Sequence, residues 1–235
     1  MSFLKDTLSI FKKNELAFIK KDKESEEVYT FLFEKVKDVT WHAGQHGLFT
    51  ITHKKIKNGT RPLSVASSPT ENVIKITTKI NGNPSEFKRA LMELEKGMTI
   101  SMSGPVGSFY LKDSGPTLFI AGGIGITPFR AMAKELEAED NAGGKPMKLL
   151  YIDSEKEYLY KDELDEIEAN TSVDVTYPQS RDDLYQEVDQ FISSYGNNAK
   201  YFIAGPKSMT DLMTTYLKNK KISKQNIKKD TFTGY

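Results

Sequence analysis

Along the first half of the chain, apolar side chains fall in short runs separated by Gly, Pro and Asn. Residues 28–33, 47–51, 63–66, 73–80 and 98–102 are rich in β-branched and aromatic side chains and are bounded by turn formers, which predicts strands. Several short strands of this kind predict an antiparallel β-barrel. The stretch 85–94 departs from the pattern: Phe87, Leu91 and Leu94 recur at helical spacing behind Ser85, a suitable N-cap, and Gly97 can end that helix. Residues 103–108 read as a turn. Near Ser114-Gly115-Pro116 the periodicity changes, and strand and helix patterns alternate. Strands are expected at 117–121, 148–152, 173–177 and 201–204, helices at 128–138, 161–168, 184–194 and 207–218, and a last short segment ends at Tyr235. Such alternation predicts a parallel sheet covered by helices. The expected organisation is an N-terminal segment over 1–14, an antiparallel barrel over 15–113 and an α/β domain over 114–235. Leu4, Leu8 and Phe11 can give the first segment a small amphipathic helix packed on the barrel.

Composition narrows the function classes. The 235 residues are 38% hydrophobic and 28% charged, the balance of a globular protein. With 33 basic against 32 acidic side chains the net charge is +1, so there is no electrostatic case for nucleic-acid binding. The absence of cysteine excludes disulfides, thiolate zinc sites, cysteine-ligated iron–sulfur clusters and a cysteine nucleophile. Any redox chemistry must then come from a bound cofactor. The longest apolar stretch, 117–129, is broken by glycines and a proline and falls short of the roughly 20 residues that cross a bilayer. No transmembrane segment and no secretory signal are expected, and the cytoplasm is the expected compartment.

The strongest chemical signal is Leu118-Phe119-Ile120-Ala121-Gly122-Gly123-Ile124-Gly125-Ile126-Thr127-Pro128-Phe129. A buried strand runs into glycines and then a helix, with Thr127 fit to be the N-cap and Pro128 the first helical residue. Glycines admit a ligand close to the backbone, and the helix start offers free N–H groups to a phosphate, so a dinucleotide pyrophosphate suits the site. Pro128 stands where the usual fingerprint has its third glycine. A second phosphate-competent start is Asn81-Gly82-Asn83-Pro84-Ser85, with Arg61 as a cation, and two such sites suggest two dinucleotides. His42, His46 and His53 lie close in sequence, but Gly44 and Gly47 interrupt them and no carboxylate cluster completes a metal site, so none is expected. The charged run 134–140 reads as the solvated face of a helix.

Taken in chain order, these elements resemble the ferredoxin–NADP reductase superfamily from about Glu15 to Tyr235. Arg61-Pro62-Leu63-Ser64 is similar to the flavin signature Arg-x-Tyr-Ser, and 82–85 to the start of the flavin pyrophosphate helix. Gly104-Pro105-Val106-Gly107-Ser108-Phe109 is similar to the loop between domains, 122–129 to the nicotinamide-dinucleotide loop, and Ala204-Gly205-Pro206-Lys207-Ser208-Met209 to Cys-Gly-x-x-x-Met. The resemblance implies a barrel that holds FAD and an α/β domain that holds NADPH or NADH. Arg61 would bind the FAD pyrophosphate within a site that also counts Pro62, Leu63, Lys79, Gly82 and Ser85, and Ser64 would lie near flavin N5. Gly122, Gly123, Gly125, Thr127, Pro128, Gly205 and Met209 would belong to the nicotinamide-dinucleotide site. Leu63 departs from the family tyrosine and Ala204 from the family cysteine. For the aromatic that stacks on the flavin in many members, Phe232 fits a Glu-x-Phe ending and Tyr235 a terminal tyrosine, with Phe232 preferred.

Ser180-Arg181 stands where plant-type members hold the adenosine 2′-phosphate, which favours NADPH, and Asp153 is the counterweight favouring NADH. The implied function is an NAD(P)H-dependent flavoprotein reductase that passes hydride to FAD and then electrons to a separate acceptor. A ferredoxin, a flavodoxin, an oxygenase component or a small acceptor would serve. The alternative is a flavin-binding electron-transfer or regulatory subunit without productive NAD(P)H oxidation.

Overall fold

In the computed structural model, residues 12–112, 115–138 and 146–232 are described, and the chain divides into two compact units, Met1–Tyr110 and Leu111–Tyr235. The amphipathic segment containing Leu4, Leu8 and Phe11, and Tyr235 at the other end, lie outside the described residues.

The first unit is an antiparallel sheet of β1 (Lys13–Lys23), β2 (Val28–Glu34), β3 (His46–Ile51), β4 (Thr60–Ser64), β5 (Val73–Lys79) and β6 (Thr99–Val106). Its strand order is β4-β3-β6-β1-β2-β5. Just beyond β4, the Ala66 N–H donates to the Lys75 carbonyl at 2.9 Å, so the ends of that order meet and the sheet curls as a barrel does. Alternation sends Leu16 and Phe18, Phe31 and Phe33, Ile74 and Ile76, and Ile100 and Met102 into one core. Phe18 meets Phe33 edge-on with ring centroids 5.6 Å apart. Helix α1 (Glu86–Met92) adds Phe87 and Leu91 to that core, and the Ser85 hydroxyl caps it by accepting from the Lys88 N–H.

Several expectations shift here. Strand β1 is not among the expected elements: its apolar part is only Leu16 to Ile19, set between polar and charged residues on both sides. The strand expected at 63–66 lies at Thr60–Ser64, where Pro62 is tolerated because β4 pairs with β3 alone. Gly97 does not end the helix, which stops at Met92. At φ +89 it turns the chain into β6, and its N–H donates to the Phe18 carbonyl. The expected turn at 103–108 is strand as far as Val106.

The second unit is a parallel sheet of β7 (Thr117–Gly122), β8 (Met147–Ile152), β9 (Val173–Thr176), β10 (Lys200–Pro206) and β11 (Ile227–Phe232). The helices are α2 (Ile126–Ala138), α3 (Lys161–Asn170), α4 (Arg181–Tyr195) and α5 (Lys207–Asn219). The order β11-β10-β7-β8-β9 makes β7 the middle strand, and all its residues are buried. From β7 the chain moves to β8 and β9 on one side and returns through β10 on the other. The topological switch point therefore lies between β7 and β10, and ligands of open α/β sheets bind beyond the strand ends at such a point. No helix among the described residues is long and apolar enough to cross a membrane.

Candidate functional site

The end of β7 is shaped by three glycines. Gly123 begins a single 3-10 turn, Gly123–Gly125, that feeds directly into α2 at Ile126. Thr127 is thus not the N-cap and Pro128 not the first helical residue. The Thr127 hydroxyl donates back to the Ile124 carbonyl at 3.1 Å from inside the first turn, where Pro128 is still tolerated. The 3-10 turn takes over the strand-to-helix corner, so no side-chain cap is needed. The glycines answer to packing. A Cβ on Gly122 would stand 2.1 Å from Met209 Sδ, and one on Gly125 2.2 Å from the Ala204 carbonyl oxygen.

Beyond these strand ends lies a cavity of about 490 Å³ lined by Gly122, Gly123, Asp153, Lys156, Gln179, Ser180, Arg181 and Met209, with Leu184, Leu212 and Met213 on its apolar side. Of the residues expected to bind the nicotinamide dinucleotide, Gly122, Gly123, Ser180, Arg181 and Met209 come together in it. Gly125, Thr127 and Pro128 are buried in the turn and helix behind, and Gly205 packs with its φ of +153 beside Gly122 and Met209. Ser180 caps α4 by accepting from the Asp183 N–H at 3.0 Å, which leaves its hydroxyl proton for another acceptor. Arg181, the first residue of α4, is exposed. Asp153 Oδ1 accepts from the N–H groups of Glu155 and Glu157 at 2.9 and 3.3 Å, so this carboxylate closes the turn after β8. Lys156 and Leu212 escape the sequence reading. Lys156 sits in a turn without periodicity, and Leu212, 43% exposed, reads as one more apolar position of α5. A glycine-edged cavity with a hydroxyl, cations and an apolar wall fits the phosphates and flat base of a dinucleotide.

In the first unit, Arg61 and Leu63 project from the same face of β4, and Pro62 and Ser64 from the other. Arg61 Nη1 donates to the carbonyls of Asn58 and Thr60, both at 2.9 Å. Leu63, which replaces the family tyrosine, packs against the barrel core, and Ser64 is buried opposite His46. Gly82 is exposed, and a Cβ there would meet nothing within 4 Å, so packing does not demand a glycine at this position. Open space before a capped helix, close in sequence to Lys79 and Lys88, suits a phosphate. Lys79 pairs with Glu27 at 3.0 Å, and burial, followed by the charge of Lys79, holds the Lys88 ammonium below its usual range. These residues fit an anionic cofactor, as the resemblance implies.

The histidines take separate places. His42 stacks on Tyr110 at 4.5 Å, His46 lies against Gly107, and His53 faces Glu93 at 3.7 Å. Phe232 ends β11 opposite Pro206 and is half-buried.

Residues 119–215 match the model of the oxidoreductase NAD-binding domain. The toluate 1,2-dioxygenase electron transfer component of Pseudomonas putida is 27% identical over 65% of this chain and 47% of its own length. Ferredoxin-NADP+ reductase from Plasmodium falciparum, solved with 2′P-AMP, superposes with a TM-score of 0.77 at 17% identity, over 95% of this chain and 97% of that one. The flavohem-like FAD/NAD-binding domain of nitric oxide dioxygenase from Vibrio cholerae gives 0.76 at 21% identity, over 93% and 98%. Most of the second unit is thus similar to an oxidoreductase NAD-binding domain. The chain as a whole has the fold of the ferredoxin–NADP reductases. The chain spans about half the length of the curated relatives it matches, 47%, 58% and 52% of the first three.

Proposed function

We propose that this chain is an NAD(P)H-dependent flavoprotein reductase. NAD(P)H binds the α/β unit, its hydride goes to FAD held by the barrel unit, and electrons leave to a separate acceptor. The observation that carries the reading is the cavity at the β7–β10 switch point, edged by Gly122 and Gly123 and lined by Ser180 and Arg181, within a matched oxidoreductase NAD-binding domain. FAD, when bound, supplies the change from a two-electron donor to one-electron delivery. The chain's own residues contribute binding and orientation. Arg61 places a guanidinium for the pyrophosphate, the stretch from Gly82 to Ser85 offers open backbone at the start of α1, and Ser64 supplies a hydroxyl for the flavin N5 region. Hydride transfer asks no strong acid or base of the protein, only alignment and exclusion of water.

The Pseudomonas protein is named as the electron transfer component of a dioxygenase, and a methane monooxygenase component from Methylosinus trichosporium is 32% identical over 44% of this chain. These names support an oxygenase component or a ferredoxin-type protein as acceptor, and a cytoplasmic setting supplies the reduced nucleotide. The test is reduction of bound flavin by NADPH and by NADH in the absence of oxygen: rapid bleaching by either supports the reading, and flavin that stays oxidised with both rejects it.

A further inference from the structure

Resting on the dinucleotide reading above, we propose that Lys156 is a second cation of the 2′-phosphate site. With Arg181 and Ser180 it makes the cavity selective for NADPH over NADH. Lys156 belongs to the turn between β8 and α3, more than twenty residues from Arg181 in sequence, yet both line one cavity. Its Nζ donates to Gln179 Oε1 at 3.0 Å, next to Ser180. Gln179 Nε2 in turn donates to the Tyr177 carbonyl at 2.8 Å, which fixes the amide with its oxygen toward the lysine.

Two features mark this contact as a resting place for a ligand-binding cation. First, the turn is built to hold Lys156 there. The Asp153 carboxylate accepts from Glu155 and Glu157, the Asp153 carbonyl accepts from the Lys156 N–H at 3.2 Å, and Lys156 takes φ +58, the left-handed conformation that this turn requires at its position. Second, the partner is a neutral amide, and a phosphate oxygen is the stronger acceptor for an ammonium. Of the acids around it, Asp153 lines the cavity with its Oδ1 on the N–H groups of Glu155 and Glu157, and Asp183 Oδ2 accepts from the Gln179 N–H at 3.2 Å. An ammonium, a guanidinium and a hydroxyl together suit a doubly charged phosphate monoester. NADH would bring no phosphate to these two cations.

The test is isothermal titration of the full chain with 2′-phospho-AMP and with 5′-AMP, for the wild type and for Lys156→Gln, Gln179→Glu and Arg181→Ala. The wild type is expected to prefer 2′-phospho-AMP. Lys156→Gln should weaken that ligand by about three- to tenfold, as for a partly exposed charged hydrogen bond, and leave 5′-AMP within about twofold. Gln179→Glu should weaken 2′-phospho-AMP as well, by placing a negative charge at the lysine. If Lys156→Gln binds both ligands like the wild type while Arg181→Ala loses the preference, Lys156 has no part in the site and the NADPH reading stands. If the wild type binds 5′-AMP at least as tightly, or binds neither ligand, the NADPH reading itself fails and the inference falls with it.

Discussion

Gly125 stands against Ala204 so closely that a methyl group on the glycine would lie 2.2 Å from the alanine carbonyl oxygen and 2.7 Å from the Gly205 nitrogen. The corner between β7 and α2 is thereby pressed onto the backbone of β10, the strand on the other side of the switch point. Backbone cannot step aside as a side chain can. Gly125→Ala should therefore cost about 1–3 kcal/mol of stability, as overpacking does. Gly122→Ala should cost less, because it meets the flexible end of Met209. Denaturant midpoints of the two variants check this, and equal losses would show that Met209 is as rigid as the strand.

Arg61 illustrates the opposite situation, a charged side chain whose visible contacts are carbonyls of its own turn. Its replacement by alanine should leave the fold intact and raise the FAD dissociation constant by about tenfold, the worth of a charged hydrogen bond. Hydride transfer in protein kept saturated with FAD should change little. Fluorescence titration of the apoprotein measures the first quantity, and an unchanged affinity would remove Arg61 from the flavin site.

For Arg181 the informative quantity is a ratio. Arg181→Ala should raise the Michaelis constant for NADPH about tenfold while leaving that for NADH nearly unchanged, because only the former carries the 2′-phosphate. Steady-state kinetics with both donors reads the ratio directly. Equal effects on the two would point to a general role in holding the dinucleotide.

Asp211 on α5 accepts from Lys207 one turn earlier and from Lys229 of β11 at 2.8 Å. These hydrogen bonds, that from Lys207 first, hold its carboxyl down to about 2. The folded value lies below the unfolded one, so this staple is fully present above the ordinary carboxylate range near pH ~4 and is lost as pH falls toward about 2. A carboxyl-detected NMR titration should place the Asp211 midpoint near 2, and Lys229→Met should move it upward. A wild-type midpoint in the ordinary range would show that the pairs do not persist in solution.

Much of this fold is legible from periodicity, because the three inner strands of the parallel sheet, 117–122, 147–152 and 200–206, are apolar runs long enough to read alone, whereas the edge strand β11 carries Lys228, Lys229 and Asp230 and does not read as one. The barrel is harder. The apolar part of β1 is only Leu16 to Ile19, a short run between charged residues, and Leu16 and Phe18 go into the core beside its neighbours β2 and β6. Thr127 shows the limit of local capping rules: a hydroxyl before a proline reads as a helix start, yet the glycines ahead of it form a 3-10 turn that moves the start upstream. Within the cavity, the glycine loop and Ser180-Arg181 can be read from sequence, since each is a contiguous motif. Lys156 cannot, because its meeting with Gln179 depends on the end of β8 lying beside that of β9, a matter of sheet order that no local pattern carries.

The central claim is that NAD(P)H reduces flavin on this chain. Anaerobic stopped-flow absorbance of the FAD-reconstituted protein, mixed separately with NADPH and NADH over a concentration series, tests it most directly. The account predicts rapid, saturable bleaching of the flavin band, at lower concentrations of NADPH than of NADH. Flavin that is demonstrably bound and stays oxidised with both nucleotides would contradict it and leave a flavin module reduced by some other route.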